Sequence, residues 1–320
     1  DWMDMVLRDG AWSSRATLNM RGGGKTARYF VSGSYQDQQG MYKTDKSLKD
    51  YNTNAHFRKW TYRMNVDIDI TKTTLLKVGV SGSLRKQNDT GSGTDNLWTV
   101  LMGYNSIMMP AEYSDGKIPG WSDKDDNMNP WVMTTQSGYN ESWKNNIQTS
   151  LTLEQKLDFV TKGLSLKLKG SYNSSYGTTK VASSSKAKYT PVITENGIAY
   201  RKEGSDTQTS YSEGGYSKAR DWYMELALNY SRKFGDHNVS GLLLYNQSKR
   251  YYPGGTYDYI PSGYVGLVGR ITYDWKSRYM AEFNAGYNGS ENFAPENRYG
   301  FFPAGSIGWV LSEEQFFAPL

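Results

Sequence analysis

Residues able to do chemistry are few in this chain. It has 320 residues, two histidines (His56 and His237) and no cysteine, so a Ser-His-Asp relay, a thiolate nucleophile and Cys/His metal sites lack their components. Asp67 and Asp69 are spaced to share one face of a strand, as acid–base work by paired carboxylates would need. Arg63 and Lys77 stand near them, so a satisfied polar network is expected in place of glycosidase chemistry. Gly22-Gly23-Gly24-Lys25 resembles the start of a phosphate loop, but the glycine spacing and the Ser/Thr-led helix are missing, which leaves a β-turn. Asp123-Lys124-Asp125-Asp126-Asn127 offers oxygen ligands for a loop-bound calcium ion without the Gly and Glu of an EF-hand. No other metal and no cofactor is expected. The remaining candidates bind and do not react. Trp98, Tyr104, Trp121 and Trp131 present rings able to stack on sugars or peptide side chains, with packing of their loop onto itself or onto a lid partner as the alternative.

The elements that must position these residues are strands. In Tyr62-Arg63-Met64-Asn65-Val66-Asp67-Ile68-Asp69-Ile70, every even position is large and apolar or aromatic and every odd one is polar or charged. The pattern resumes after a short turn with Leu76, Val78, Val80 and Leu84 opposed by Lys77, Ser81, Ser83 and Arg85. It returns at Leu164, Leu166 and Leu168, at Trp222, Met224, Leu226 and Leu228, at Val265, Leu267, Ile271 and Tyr273, and at Tyr279, Phe283 and Tyr287. About eleven such strands are expected, near 14–22, 26–38, 60–70, 75–87, 143–158, 164–178, 220–233, 238–251, 262–275, 278–291 and 302–311. Many reach the ~9–11 residues that cross a bilayer at a tilt.

Links between them alternate between short and long. Short ones fall at Gly23-Gly24-Lys25, Thr71–Thr74, Val160–Gly163, Gly235–Asn238 and Lys276-Ser277, with His237 in a tight turn; long ones cover 39–59, 88–142, 179–219, 252–261 and 292–301, with His56 in the first. Outer-membrane barrels have short periplasmic turns and long extracellular loops, so the layout orients the whole segment. Loop 179–219 is rich in Ser, Thr and Lys, a composition that suggests mobility.

A soluble antiparallel sheet with one buried face would also alternate. Charges at nearly every inward position fit a water-filled lumen better, and no segment with a 3.6-residue period is expected that would cover an open sheet. Mean hydropathy is low at −0.71, as it is for a barrel whose strands are apolar only at alternate positions. The net charge of +5 is spread along the chain and leaves no nucleic-acid footprint.

The stretch Gly289-Ser290-Glu291-Asn292-Phe293-Ala294-Pro295-Glu296-Asn297-Arg298-Tyr299-Gly300-Phe301-Phe302-Pro303-Ala304-Gly305-Ser306-Ile307-Gly308-Trp309-Val310-Leu311-Ser312-Glu313-Glu314 resembles the SusC/RagA family of TonB-dependent outer-membrane transporters. The positions carrying the likeness are Gly289, Ser290, Asn292, Phe293, Pro295, Arg298, Gly300, Phe302, Pro303, Gly308, Trp309, Ser312, Glu313 and Glu314, all expected to be structural. Tyr29-Phe30-Val31-Ser32-Gly33-Ser34-Tyr35 with Gln38-Gln39-Gly40, the Trp2-Met3-Asp4 segment and Asn129-Pro130 are similar to other parts of the family pattern.

The resemblance implies an all-β fold, an antiparallel transmembrane β-barrel segment with about 11 of 22 strands, in which residues 1–320 form part of one barrel domain in the bacterial outer membrane. A plug domain and TonB box are not visible, so a middle portion of the barrel is expected. The resemblance further implies active import of oligosaccharides or peptides, with no reaction catalysed. A SusD-like surface lipoprotein and the TonB complex, acting through the plug, would be the partners. The alternative is a passive porin-like channel or an adhesin with partner-binding loops.

Overall fold

A computed structural model describes residues 1–45, 52–104, 107, 109–120, 129–252, 259–314 and 316–317. Eleven strands form one sheet, each antiparallel to its neighbours: β1 (Ser13–Gly23), β2 (Ala27–Gln39), β3 (His56–Asp69), β4 (Thr74–Thr90), β5 (Gly138–Lys156), β6 (Leu164–Ser183), β9 (Ser210–Phe234), β10 (His237–Tyr251), β11 (Ser262–Trp275), β12 (Tyr279–Ser290) and β13 (Tyr299–Trp309). Strand order follows chain order except between β6 and β9. There a separate two-stranded hairpin, β7 (Lys188–Thr194) and β8 (Gly197–Glu203), stands outside the sheet.

All eleven expected strands are present, and several run further than the alternation indicated. β9 is 25 residues long and β6 is 20, far beyond the ~9–11 a bilayer needs. Beyond the lipid both faces meet water, so nothing selects apolar residues at every second position and the pattern fades while pairing continues. The 179–219 stretch, expected as a mobile loop, therefore contains the end of β6, the β7–β8 hairpin and the start of β9. A bulge between Thr179 and Lys180, opposite Gly215 with φ of 120°, bends this extension. His56, expected in a loop, is the first residue of β3, and His237 opens β10.

Helices are present as well, a correction to the expectation of none. α1 (Trp2–Val6) precedes β1, α2 (Thr94–Gly103) and α3 (Pro130–Thr135) lie in the connection between β4 and β5, and together they build a small core. Asn129 caps α3 by accepting from the Trp131 and Val132 amides, and Pro130 occupies the first turn, where its missing N–H costs nothing. Trp2, Val6, Tyr42, Leu97, Val100, Leu101, Met109 and Met133 are buried together. The helices were missed because they are short, and too few turns fit within them to establish a period.

Candidate functional site

Register shows what each face of the wall is built to touch. Ile68, Leu76, Leu153, Leu168, Leu226, Tyr245, Leu267, Tyr287 and Phe301 are successive cross-strand partners in one unbroken apolar row from β3 to β13. One residue away, on the opposite face, Asp67, Lys77, Thr152, Lys169, Glu225 and Asn246 are partners in the same way. The apolar face is exposed: Leu151 is 53%, Phe283 54% and Ile307 92% accessible. Such an area of exposed Leu, Ile and Phe is stable only against lipid or another protein layer.

The apolar row begins next to the short-turn end of β3 and finishes near the long-loop end of β13, so the strands are inclined to the plane of the apolar band. On β3 that band extends from Trp60 to Ile70. This is ~33 Å of strand at ~3.3 Å per residue, and ~25 Å in height at a tilt of ~40°, which matches the hydrocarbon band of a transmembrane barrel.

Aromatic residues mark its lower edge. His237, Trp275, Tyr279 and Trp309 are cross-strand neighbours at the short-turn end, with Trp275 and Tyr279 stacked at 5.4 Å and Tyr279 and Trp309 at 6.3 Å. His237 stacks on Trp275 at 6.2 Å and bonds the Tyr273 hydroxyl at 2.7 Å, which makes it a member of this girdle. At the opposite edge cations lie over rings, Lys86 over Trp143 at 4.6 Å and Arg220 over Tyr251 at 4.3 Å.

The inner face is polar, and its charges form specific pairs. Lys77 reaches Glu154 at 2.8 Å and Lys167 reaches Glu225 at 3.0 Å. Asp69 is paired with Arg28, so the carboxylates at 67 and 69 do belong to a charged network, but the partner of Asp69 is Arg28, and Lys77 turns to Glu154. Higher on the wall the character changes. Arg15, Gln36, Lys59, Arg85 and Lys144 are consecutive cross-strand partners on β1 to β5, and none of these cations makes an ion pair among the described residues. Next to them runs a row of Thr17, Ser34, Thr61, Ser83, Asn146 and Ser175. A cavity of about 540 Å³ lies against this wall, with Arg15, Lys59, Arg63 and Asp221 among its lining residues. Neither the row nor the cavity was singled out from sequence. The signal was a cation at an inward position of each strand, but only register shows that they meet.

Of the aromatic candidates, Trp98, Tyr104 and Trp131 are half-buried and pack on the loop core. Trp98 lies on α2 and bonds the hydroxyl of the buried Tyr42, whose pKa burial holds above its ordinary value. Trp121 and the Asp123–Asn127 stretch lie outside the described residues. Among the described residues no group of three or more His, Asp or Glu is placed to hold a metal ion.

The 289–314 signature forms the link and edge strand that close this part of the sheet. Ser290 and Arg298 pair across the link, Asn292 bonds the Ser290 hydroxyl, and Pro295 starts a single 3₁₀ turn. After β13 the chain turns so that Glu314 meets Tyr279, Trp309 and Arg278.

No family model matches the chain. It is 26% identical over 352 aligned residues to TonB-dependent receptor P3 of Formosa agariphila, covering 99% of this chain and 32% of that protein. The chain thus spans about a third of the length of this curated relative. Its fold is that of the RagAB peptide transporter, with a TM-score of 0.67 at 14% identity over 99% of this chain and 36% of that one. The siderophore receptor PirA from Acinetobacter baumannii superimposes with a TM-score of 0.53 at 9% identity, over 96% and 40% of the two chains. With an apolar outer face, a polar inner face and a girdle at the lower edge, the chain has the fold of an outer-membrane β-barrel segment and is similar in sequence to a TonB-dependent receptor.

Proposed function

We propose that this wall belongs to an active importer, carrying oligosaccharides or peptides across the outer membrane when a TonB-coupled plug rearranges within it. Residues 1–320 serve as part of that one barrel domain, and a SusD-like lipoprotein closes over the long-loop end. The observation carrying this reading is the change of solvent across a single strand, with Leu168 and Leu226 on one face and Lys167 and Glu225 on the other. A wall of that kind separates lipid from a wide aqueous lumen. The names of the relatives support TonB-dependent uptake, and the peptide transporter among them supports a polymeric cargo.

At the mouth, Trp98, Tyr104, Trp121 and Trp131 are proposed to meet the arriving cargo. The three described ones each keep part of the ring exposed while the rest is fixed by the loop core, and a ring held in this way loses little entropy on stacking.

Deletion of the intact gene should abolish growth on one class of oligosaccharide or peptide, and loss of TonB should have the same effect. A lipoprotein should co-purify with the full-length protein from its native membrane. Unchanged growth on every complex nutrient would rule out import and favour a passive channel or an adhesin.

A further inference from the structure

Like charges placed directly opposite on neighbouring strands repel and destabilise a sheet, yet Lys59, Arg85 and Lys144 are direct cross-strand partners on β3, β4 and β5. Arg15 stands in the same row on β1. Lower on this inner face the wall supplies carboxylates to three cations: Lys77 has Glu154, Lys167 has Glu225, and Arg28 has Asp69. In the Arg15–Lys144 row it supplies none among the described residues, and the Arg85 Nε–H is buried with no hydrogen-bond partner. A repulsive row left uncompensated within the wall calls for anionic groups from outside it.

Two features indicate what carries those groups. The adjacent row is neutral, with the hydroxyls of Thr17, Ser34, Thr61 and Ser83 and the amide of Asn146, side chains that pair with groups which both donate and accept, as sugar hydroxyls do. The cations of β3, β4 and β5 also repeat every ~4.8 Å, close to the length of one sugar unit, and Arg15 follows two strands on, beyond Gln36. The row sits high in the lumen. Lys59 and Arg85 are beside Trp60 and Leu84, the last lipid-side pair before the charged Arg58 and Lys86, so it is placed at the entrance.

We infer that Arg15, Lys59, Arg85 and Lys144, with the hydroxyl row beneath them, form a binding site for an acidic oligosaccharide, one bearing carboxylate or sulfate groups on successive sugars. This rests on the importer reading and narrows its cargo.

The test is titration of the full-length transporter in detergent with oligogalacturonate, a sulfated oligosaccharide and a neutral oligosaccharide of equal length, with hexa-aspartate as the peptide arm. The acidic sugars should bind and the neutral one should not, with affinity falling as salt rises. Arg85→Gln with Lys144→Gln should weaken acidic-sugar binding about ten- to hundredfold, since each charge-assisted contact is worth roughly tenfold. Equal binding of the neutral sugar, indifference to the double substitution, or binding of hexa-aspartate alone would each overturn the proposal. So would a double variant that binds as before but whose plug becomes protease-sensitive, because the row would then pair with protein. TonB-dependent growth is read separately. If it persists with the variant unimpaired, this site fails and import stands; if the binding is confirmed without TonB-dependent uptake, import fails and the site stands.

Discussion

The Lys167 ammonium lies 3.0 Å from a Glu225 carboxylate oxygen on the lumen face, immediately behind the Leu168–Leu226 pair on the outer face. Glu225 is 8% exposed and also accepts from the Tyr223 hydroxyl at 2.7 Å. Removing the carboxylate strands both donors. Glu225→Ala should cost about 2–3 kcal/mol, and Glu225→Gln, which still accepts from Tyr223, should cost less. Urea unfolding of the reconstituted barrel measures both, and identical midpoints for the two variants would show that the charge is solvated through the lumen.

Val66 lies between Trp60 and Ile70, near mid-height of the outer band on β3. Val66→Lys should reduce barrel stability by about 2–4 kcal/mol, the cost of a lysine at the bilayer midplane. Leu166 is the third residue of β6, close to its short-turn end, so Leu166→Lys should cost less as its ammonium reaches the interface. Assembly yield and unfolding midpoint report the difference. A larger penalty at Leu166 would mean that the membrane boundary is placed wrongly.

The turn at 157–163 depends on Gly163. Its φ is 87°, and a Cβ there would come within 2.0 Å of the Ser231 carbonyl oxygen, whose residue donates its own amide to the Gly163 carbonyl at 2.9 Å. Gly163→Ala combines left-handed strain with a backbone clash and should cost about 2 kcal/mol or more. Gly24 serves as the control, because a Cβ there meets nothing within 4 Å. Folding yields that do not separate the two alanine variants would mean that this turn relaxes freely.

What the sequence made legible was governed by contrast between solvents. Where one face of a strand meets lipid and the other water, as from Tyr62 to Ile70, alternation locates the strand to within a few residues. Where both faces meet water, as from Ser210 to Lys218 on β9, the same backbone pairing leaves no pattern. The aromatic residues Trp98 and Trp131 were legible as loop residues, but their packing on Leu97 and Met133 depends on three segments far apart in the chain. The Lys59–Arg85–Lys144 row has the same character. Each cation is an ordinary inward residue on its own strand, and only the stagger of three strands makes them neighbours.

Glu314 was legible only as part of a signature string, and its surroundings give that position a testable property. The Tyr279 hydroxyl and the Trp309 indole N–H both donate to it, and Arg278 pairs with it at 3.1 Å. These bonds, with Tyr279 foremost, hold the Glu314 carboxyl below its ordinary pKa. A carboxylate whose folded value is depressed stabilises the structure in full above its ordinary range, and that contribution is lost as pH falls through the depressed value. The connection between β13 and the 311–314 turn should therefore be firm at neutral pH and loosen in acid. Trp309 fluorescence and protease cleavage after residue 310 should both change on acidification, with a midpoint below that of a free glutamate. Glu314→Gln should flatten the fluorescence titration while leaving the Trp275–Tyr279 stack in place. A variant that titrates like the parent would assign the transition to another carboxylate and leave the signature glutamate without this role.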